Sequence, residues 1–160
     1  MTTIHPRGLP TATDLRAGDE YARRLREALG SHIGVLSVFV GDRQIFVGTD
    51  GLPEHLRGTS EIPVLEGFCK HVRDTGCQLI VDDVRLETAI ATHPLVTELD
   101  VHAYAGWHVT GADGQPVGVL CAMDDHPREW TSRELTTLME LAHECRPTVR
   151  AAVARALDAA

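Results

Sequence analysis

Two apolar segments joined by an Asp-Gly pair constrain the fold of this chain more than any other feature. The segments span about residues 102–110 and 116–123, and Asp113-Gly114 lies between them. An Asp-Gly pair between two such segments is one of the strongest short-range signals for a β-hairpin. The sequence therefore predicts two antiparallel strands here, so the domain must contain a sheet that is largely antiparallel.

The two faces of this predicted hairpin carry different side chains. Neighbouring side chains on a strand point to opposite faces, so Tyr104 and His108 share one face and Trp107 lies on the other. Ala103 and Ala105 share the face of Trp107. Because small residues allow helices to pack closely, we expect Trp107 to lie beneath helices and Tyr104 and His108 to face a small-molecule pocket.

Five residues form the candidate ligand-binding set: Tyr104, His108, Cys121, Met123 and Phe68. His108 offers a donor, an acceptor and a titration near neutral pH, although a half-buried histidine bonded to a backbone carbonyl is an alternative. The Tyr104 hydroxyl needs a partner when buried, either on a ligand or on the chain itself. Cys121 and Met123 share one face of the second strand, and Phe68 belongs to the buried stripe of a predicted helix.

The rest of the chain is predicted to mix helices and strands. Asp14 is a suitable N-cap, and Leu15, Ala22, Leu25 and Leu29 form the buried stripe of the helix that follows. We expect, in chain order, a helix over 14–29, strands over 35–40 and 44–47, a loop over 48–61, a helix over 63–75 with Pro63 in its first turn, a strand over 78–81, and one or two short helices within 84–100.

A long helix follows the hairpin. Thr131 and Glu134 have the spacing of a capping box, and Pro147 should kink the helix because it lacks an N–H and its ring crowds the preceding turn. The expected result is an α+β domain with a mostly antiparallel sheet and with the N- and C-terminal helices packed together on one face.

Composition sets limits on domain number and on partners. A chain of 160 residues with 43% hydrophobic residues is expected to form one domain, here residues 14–158 after a flexible arm over 1–13. A net charge of −8 argues against nucleic acid and anionic membranes as partners. The four cysteines form no C-x-x-C pair, and no signal peptide or membrane span is visible, so we expect free thiols and a cytoplasmic location.

These features together resemble the GAF domain family, and in particular its actinobacterial type. The resemblance spans about residues 14–155 and rests on the order and spacing of the following motifs: Gly67-Phe68-Cys69-Lys70-His71-Val72, Thr75-Gly76, Leu79-Ile80-Val81-Asp82-Asp83, His93-Pro94-Leu95-Val96, Val101, Ala103-Tyr104-Ala105-Gly106, Asp113-Gly114, Gly118-Val119-Leu120-Cys121, Asp124, Pro127-Arg128-Glu129-Trp130-Thr131 and Glu134-Leu135. The chain departs from this type at Trp107 and His108, where a small aliphatic residue and then proline are more usual.

The resemblance implies a GAF/PAS-like sheet with the terminal helices on one face. On the other face it implies a pocket under a helical or irregular roof, and dimerisation through the terminal helices. The expected function is non-catalytic sensing of a small molecule in bacterial signal transduction. Because the chain has no room for an output domain, it would act in trans on a separate signalling protein. The resemblance identifies neither the ligand nor a cofactor.

Two alternatives to sensing remain open. One is a degenerate GAF domain that serves only as a dimerisation scaffold, its pocket filled by its own side chains such as Tyr104, Met123 and Leu95. The other is an enzyme that resembles the free methionine sulfoxide reductases, which are also GAF domains. Cys69 and Cys77 resemble the first half of that family's pattern, but the roof over 84–100 contains no cysteine, and the reactive thiol of that family is expected there.

Overall fold

The computed structural model describes residues 10–54, 61–63, 68–87 and 100–158. Four α-helices, six strands and a short 3₁₀ helix make up these parts of the chain. Their bounds, in order, are α1 (Ala12–Leu29), β1 (Ile33–Val40), β2 (Arg43–Asp50), β3 (Glu61–Pro63), α2 (Phe68–Thr75), β4 (Leu79–Val81), the 3₁₀ helix (Val84–Leu86), β5 (Ala103–Thr110), β6 (Pro116–Asp124), α3 (Ser132–Glu144) and α4 (Arg146–Asp158).

The strands form one sheet in the order β3-β2-β1-β6-β5-β4. Every neighbouring pair is antiparallel. The central strand β1 is buried on both faces, as its nearly continuous apolar sequence predicts. The predicted hairpin is confirmed as β5 and β6, and Gly114 in the turn between them has a φ of 82°, a conformation that suits glycine.

The two faces of the sheet bury two separate cores. On one face α1, α3 and α4 pack on the sheet, around residues such as Leu25, Leu36, Leu120 and Leu138. On the opposite face, which we call the pocket face, α2 packs on β5 and β6. The predicted fold class, an α+β domain with both terminal helices on one face, is confirmed.

Two glycines allow α1 to lie directly against β2. A Cβ atom on Gly18 would come within 2.1 Å of the Val47 carbonyl oxygen, and a Cβ atom on Gly48 within 2.0 Å of the Gly18 carbonyl carbon. No other residue type fits at this crossing without displacing backbone. The contact explains why β2 continues to Asp50, beyond the predicted strand over 44–47.

The start of α1 differs from the prediction by two residues. The N-cap is Thr11, whose side chain accepts a hydrogen bond from the Asp14 N–H, and Asp14 completes the capping box instead of opening the helix. Leu15 was expected in the buried stripe but is 40% exposed, because the earlier start turns Asp14 and Gly18 toward the sheet. Residues 1–9 of the predicted arm lie outside the described residues.

The prediction for Pro63 is wrong, and the predicted loop over 48–61 is wrong at both ends, where β2 continues to Asp50 and β3 begins at Glu61. Residues 51–54 are irregular as predicted, and 55–60 lie outside the described residues. Pro63 ends the edge strand β3, where it pairs with Arg43 of β2, instead of opening the second helix. A proline is tolerated there because an edge strand needs fewer backbone donors. The described part of that helix begins at Phe68 and ends before Gly76, which has a φ of 64° as expected of a helix stop.

The C-terminal helix is divided into two. The Thr131–Glu134 capping box is present, and the predicted disturbance by Pro147 is an interruption of one residue, Cys145, between α3 and α4. Cys145 keeps a helical backbone conformation. The missing N–H of Pro147 removes one hydrogen bond of the helix at this point.

Candidate ligand-binding face

Four of the five predicted site residues lie together on the pocket face. Phe68, Tyr104, Cys121 and Met123 belong to one buried cluster, and each is at most 4% exposed. Strand alternation on β5 and β6 brings the last three together, and α2 places Phe68 above them. Trp107 packs against the opposite core, beneath the helices, as its position on β5 predicts.

The Tyr104 side chain lies along its own strand, over Gly106. A Cβ atom on Gly106 would lie only 2.4 Å from the Tyr104 hydroxyl oxygen, so the glycine leaves the space that this hydroxyl occupies. The hydroxyl lies 3.5 Å from the Cys69 Sγ atom, and the ring centroid lies 4.7 Å from that of Phe68. The sequence left open whether the Tyr104 hydroxyl bonds to a ligand or to the chain itself. In the structure its partner is Cys69, a residue of the chain.

Two buried polar residues on the pocket face were not predicted from the sequence. The Gln44 Nε2 atom donates a hydrogen bond of 2.8 Å to the Ser37 Oγ atom, and both residues are almost fully buried. Ser37 interrupts the apolar sequence of β1, which is a visible signal. In the pairing of β1 with β2, Gln44 lies opposite Phe39 and Ser37 lies opposite Phe46, so the hydrogen bond runs diagonally between the two strands.

The thiols of Cys69 and Cys121 have very different acidities. Interaction with the Cys121 thiol lowers the pKa of Cys69 to about 7, with further lowering by Tyr104 and Gln44, while burial acts in the opposite direction. The same interaction with Cys69, together with burial, raises the pKa of Cys121 well above its usual value. Burial likewise raises the pKa of the Tyr104 phenol, so the hydroxyl stays protonated and can donate to sulfur.

His108, the fifth predicted site residue, is half-buried at the edge of the pocket face, opposite Val119 of β6. Its Nδ1 atom is buried and has no hydrogen-bond partner within the described parts of the chain. From the sequence, a hydrogen bond from His108 to a backbone carbonyl was the alternative to ligand binding. The Nδ1 atom makes no such bond within the described residues. Burying a nitrogen without a hydrogen-bond partner costs about 1–3 kcal/mol of folding free energy. A ligand group that bonded to the Nδ1 atom would recover this free energy.

Within the same described parts, the one cluster with metal-ligand geometry is Asp124, Asp125 and His126, after β6. Arg128 Nη1 lies 2.9 Å from the Asp124 Oδ2 atom, so that carboxylate already has a cationic partner. Arg128 also contacts Glu134 and lies over the Trp130 ring. These contacts join β6 to the start of α3, so Asp124 has a structural role.

A six-stranded antiparallel sheet with the terminal helices on one face and one short helix on the other defines the fold of this α+β domain. The sequence matches the GAF domain family over residues 16–146. Since this match covers most of the chain, the protein belongs to the GAF domain family. GAF domains are common in sensing and signalling proteins.

Solved structures with the same fold come from several kinds of protein. The GAF domain of a phosphoenolpyruvate-protein phosphotransferase from Coxiella burnetii is 22% identical, with a TM-score of 0.70 over 89% of this chain and 83% of that one. A domain of a putative two-component sensor histidine kinase from Sinorhizobium meliloti is 17% identical, with a TM-score of 0.65 over 91% and 99%. The free methionine-R-sulfoxide reductase of Neisseria meningitidis, in complex with its substrate, is 20% identical, with a TM-score of 0.62 over 89% and 79%.

No curated protein matches this chain in sequence. None of the helices in the described residues is long and apolar enough to cross a lipid bilayer.

Proposed function

We propose that this GAF domain senses a small molecule on its pocket face and catalyses no reaction. The ligand would bind on this face of the sheet, in contact with His108, Tyr104, Cys121, Met123 and Phe68. Binding would alter the terminal-helix face, which a separate signalling protein would read in the bacterial cytoplasm.

The observation that carries this proposal is the buried Nδ1 atom of His108, which has no hydrogen-bond partner among the residues that the structure describes. It lies on the face that carries Ser37, Gln44 and Tyr104, so a bound molecule would meet hydrogen-bonding groups surrounded by apolar side chains. A few polar groups in an apolar setting are typical of small-molecule sites. Neighbouring structures from a sensor kinase and a phosphotransferase have this fold, which agrees with a role in signalling.

One observation favours the alternative of a scaffold without a ligand. Tyr104 is completely buried by the chain itself, between Phe68 and Cys69. A side chain that fills the centre of the pocket face leaves less room for a ligand. Leu95, which was also expected to fill the pocket, lies outside the described residues.

A thermal-shift screen separates sensing from the scaffold. Nucleotides, amino acids and small anions are added one class at a time to the wild type, to His108→Ala and to His32→Ala. His32 is exposed and lies before β1, so it serves as a matched control. Sensing predicts a class that raises the Tm of the wild type and of His32→Ala, with affinity for His108→Ala weaker by about 1–3 kcal/mol. A flat response in all three proteins supports the scaffold.

A further inference from the structure

We propose that Cys69 and Cys121 form an oxidisable dithiol, a covalent modification site that a small hydroperoxide converts into an intramolecular disulfide. The proposal concerns the chemistry of these two side chains and does not depend on the identity of any sensed ligand.

The geometry brings both thiols to one hydroxyl group. Cys121 lies directly opposite Gly106 in the register of β5 and β6, and the Tyr104 hydroxyl occupies the space over that glycine. Cys69 reaches the same hydroxyl from α2, at 3.5 Å. The two sulfur atoms therefore approach the same point from two different elements, across the buried interface between α2 and the sheet.

The two thiols are suited to different steps. The neighbouring Cys121 thiol lowers the pKa of Cys69, which favours its thiolate relative to an ordinary cysteine, and the residue is only partly buried. Cys121 is 2% exposed and has a raised pKa, so it stays a thiol until its partner is oxidised. A nucleophilic, reachable thiolate beside a protected second thiol is the arrangement that favours disulfide formation over further oxidation.

The other two cysteines are poor partners. Cys77 is exposed, and its Sγ atom lies 3.5 Å from the Thr75 carbonyl oxygen. Cys145 is buried in the core beneath the helices, on the opposite face of the sheet, where burial raises the pKa of its thiol to about 12.

The reaction balances in two steps. The Cys69 thiolate attacks one oxygen of the hydroperoxide, the O–O bond breaks, and an alcohol or water leaves, so that Cys69 becomes a sulfenic acid. The Cys121 thiol then attacks the Cys69 sulfur, an S–S bond forms, and the sulfenic oxygen leaves as water with the Cys121 proton. The two sulfur atoms together supply the two electrons that reduce the peroxide.

Mass spectrometry of a variant that retains only these two cysteines tests the proposal. Cys77→Ser with Cys145→Ala is treated with hydrogen peroxide, denatured, alkylated and digested. We expect an intact mass lower by two hydrogen atoms and a peptide in which Cys69 is linked to Cys121, both reversed by dithiothreitol. Adding Cys121→Ala, or Cys121→Val if the first variant misfolds, should abolish the cross-link and leave a Cys69 sulfenic acid that dimedone traps.

A pH profile separates reactive chemistry from mere proximity. The rate of cross-linking should rise through pH 7 with the Cys69 thiolate, and Tyr104→Phe should move this rise to higher pH because it removes a hydroxyl that lowers the pKa of Cys69. The proposal is overturned if no Cys69–Cys121 peptide forms in the folded variant, or if Cys69 of the wild type pairs with Cys77 instead.

Discussion

The smallest feature on which the pocket face depends is a single glycine. Gly106 gives its side-chain space to the Tyr104 hydroxyl, and this position brings the hydroxyl beside Cys69. A glycine inside a strand often marks a close approach of another group. Here that group is the tyrosine two residues earlier in the same strand.

Replacing Gly106 with alanine should therefore lower the free energy of unfolding by about 1–3 kcal/mol, the usual effect of overpacking a core. The new Cβ atom would meet the hydroxyl at 2.4 Å and force the Tyr104 ring to move. Urea denaturation of Gly106→Ala measures the loss. In a Tyr104→Ala background the same substitution should be much milder, and an equal loss in both backgrounds would mean that the clash is not with Tyr104.

Single residues also show what the sequence could predict about the site. Strand alternation alone separates Tyr104 from Trp107, and both lie on the faces that it indicates. The Ser37–Gln44 pair was not predicted, because it is a diagonal contact between two strands and follows only from the pairing of β1 with β2. Partners along one strand follow from periodicity, whereas partners across strands require the register.

Among the described strands, β3 is the one that was not predicted, whereas β1, β4 and the β5–β6 hairpin were. The β5–β6 hairpin and the capping box of α3 follow from a few adjacent residues. β3 was missed because Pro63 also fits the first turn of a helix, and only pairing with β2 identifies it as a strand. The end of β2 was predicted as a loop, because its glycine, Gly48, is also typical of loops. In the structure Gly48 permits the contact with α1.

A prediction at this scale concerns the contact between α1 and α4. Arg155 of α4 lies 2.7 Å from the Asp14 Oδ2 atom of α1. Burial acts to raise the pKa of Asp14, but the Arg155 and Thr11 hydrogen bonds outweigh it and hold the pKa below its usual value of 3.8. Since the folded-state pKa is the lower one, this contact stabilises the fold above pH 3.8, and the stabilisation is lost as the pH falls through the folded-state value.

The stability difference between the wild type and Asp14→Asn should therefore be largest near neutral pH and shrink in acid. Chemical denaturation at a series of pH values measures it. Arg155→Gln serves as the matched variant because it removes the other half of the contact and should reduce the same pH dependence. Stability curves for wild type and Asp14→Asn that run parallel from neutral pH into acid would contradict this account.

For the whole molecule, the expectation is a dimer formed through the terminal helices. Leu15 on α1 is 40% exposed and Leu157 on α4 is 59% exposed, and the Asp14–Arg155 contact brings their ends of the two helices together. The exposed side chains of Leu15 and Leu157 could therefore pack against a second copy of the chain in a dimer.

Sedimentation velocity tests this expectation. The wild type should be a dimer, and the double variant Leu15→Glu/Leu157→Glu should dissociate because charge would be buried at the interface. Leu86→Glu is the control, since Leu86 is 78% exposed on the 3₁₀ helix, away from the terminal helices. A monomeric wild type, or a double variant that remains dimeric, would refute dimerisation through this face.

At the scale of the whole fold, the turn, cap and strand signals agree with one another on an α+β domain, and the GAF family was indicated by the resemblance of the motifs in their order and spacing. No ligand followed from it, because the proposed recognition would depend on the positions of a few polar atoms, among them His108 Nδ1 and the Tyr104 hydroxyl. These positions depend on contacts between elements far apart in the chain.

Native mass spectrometry of freshly purified protein tests the central claim, that the pocket face holds a small molecule, most directly. We predict a population heavier than the chain mass, which loses a small molecule on denaturation and which is depleted in His108→Ala but not in His32→Ala. Protein found only at the mass of the bare chain, when no class in the thermal-shift screen raises the Tm, would contradict sensing and favour the scaffold.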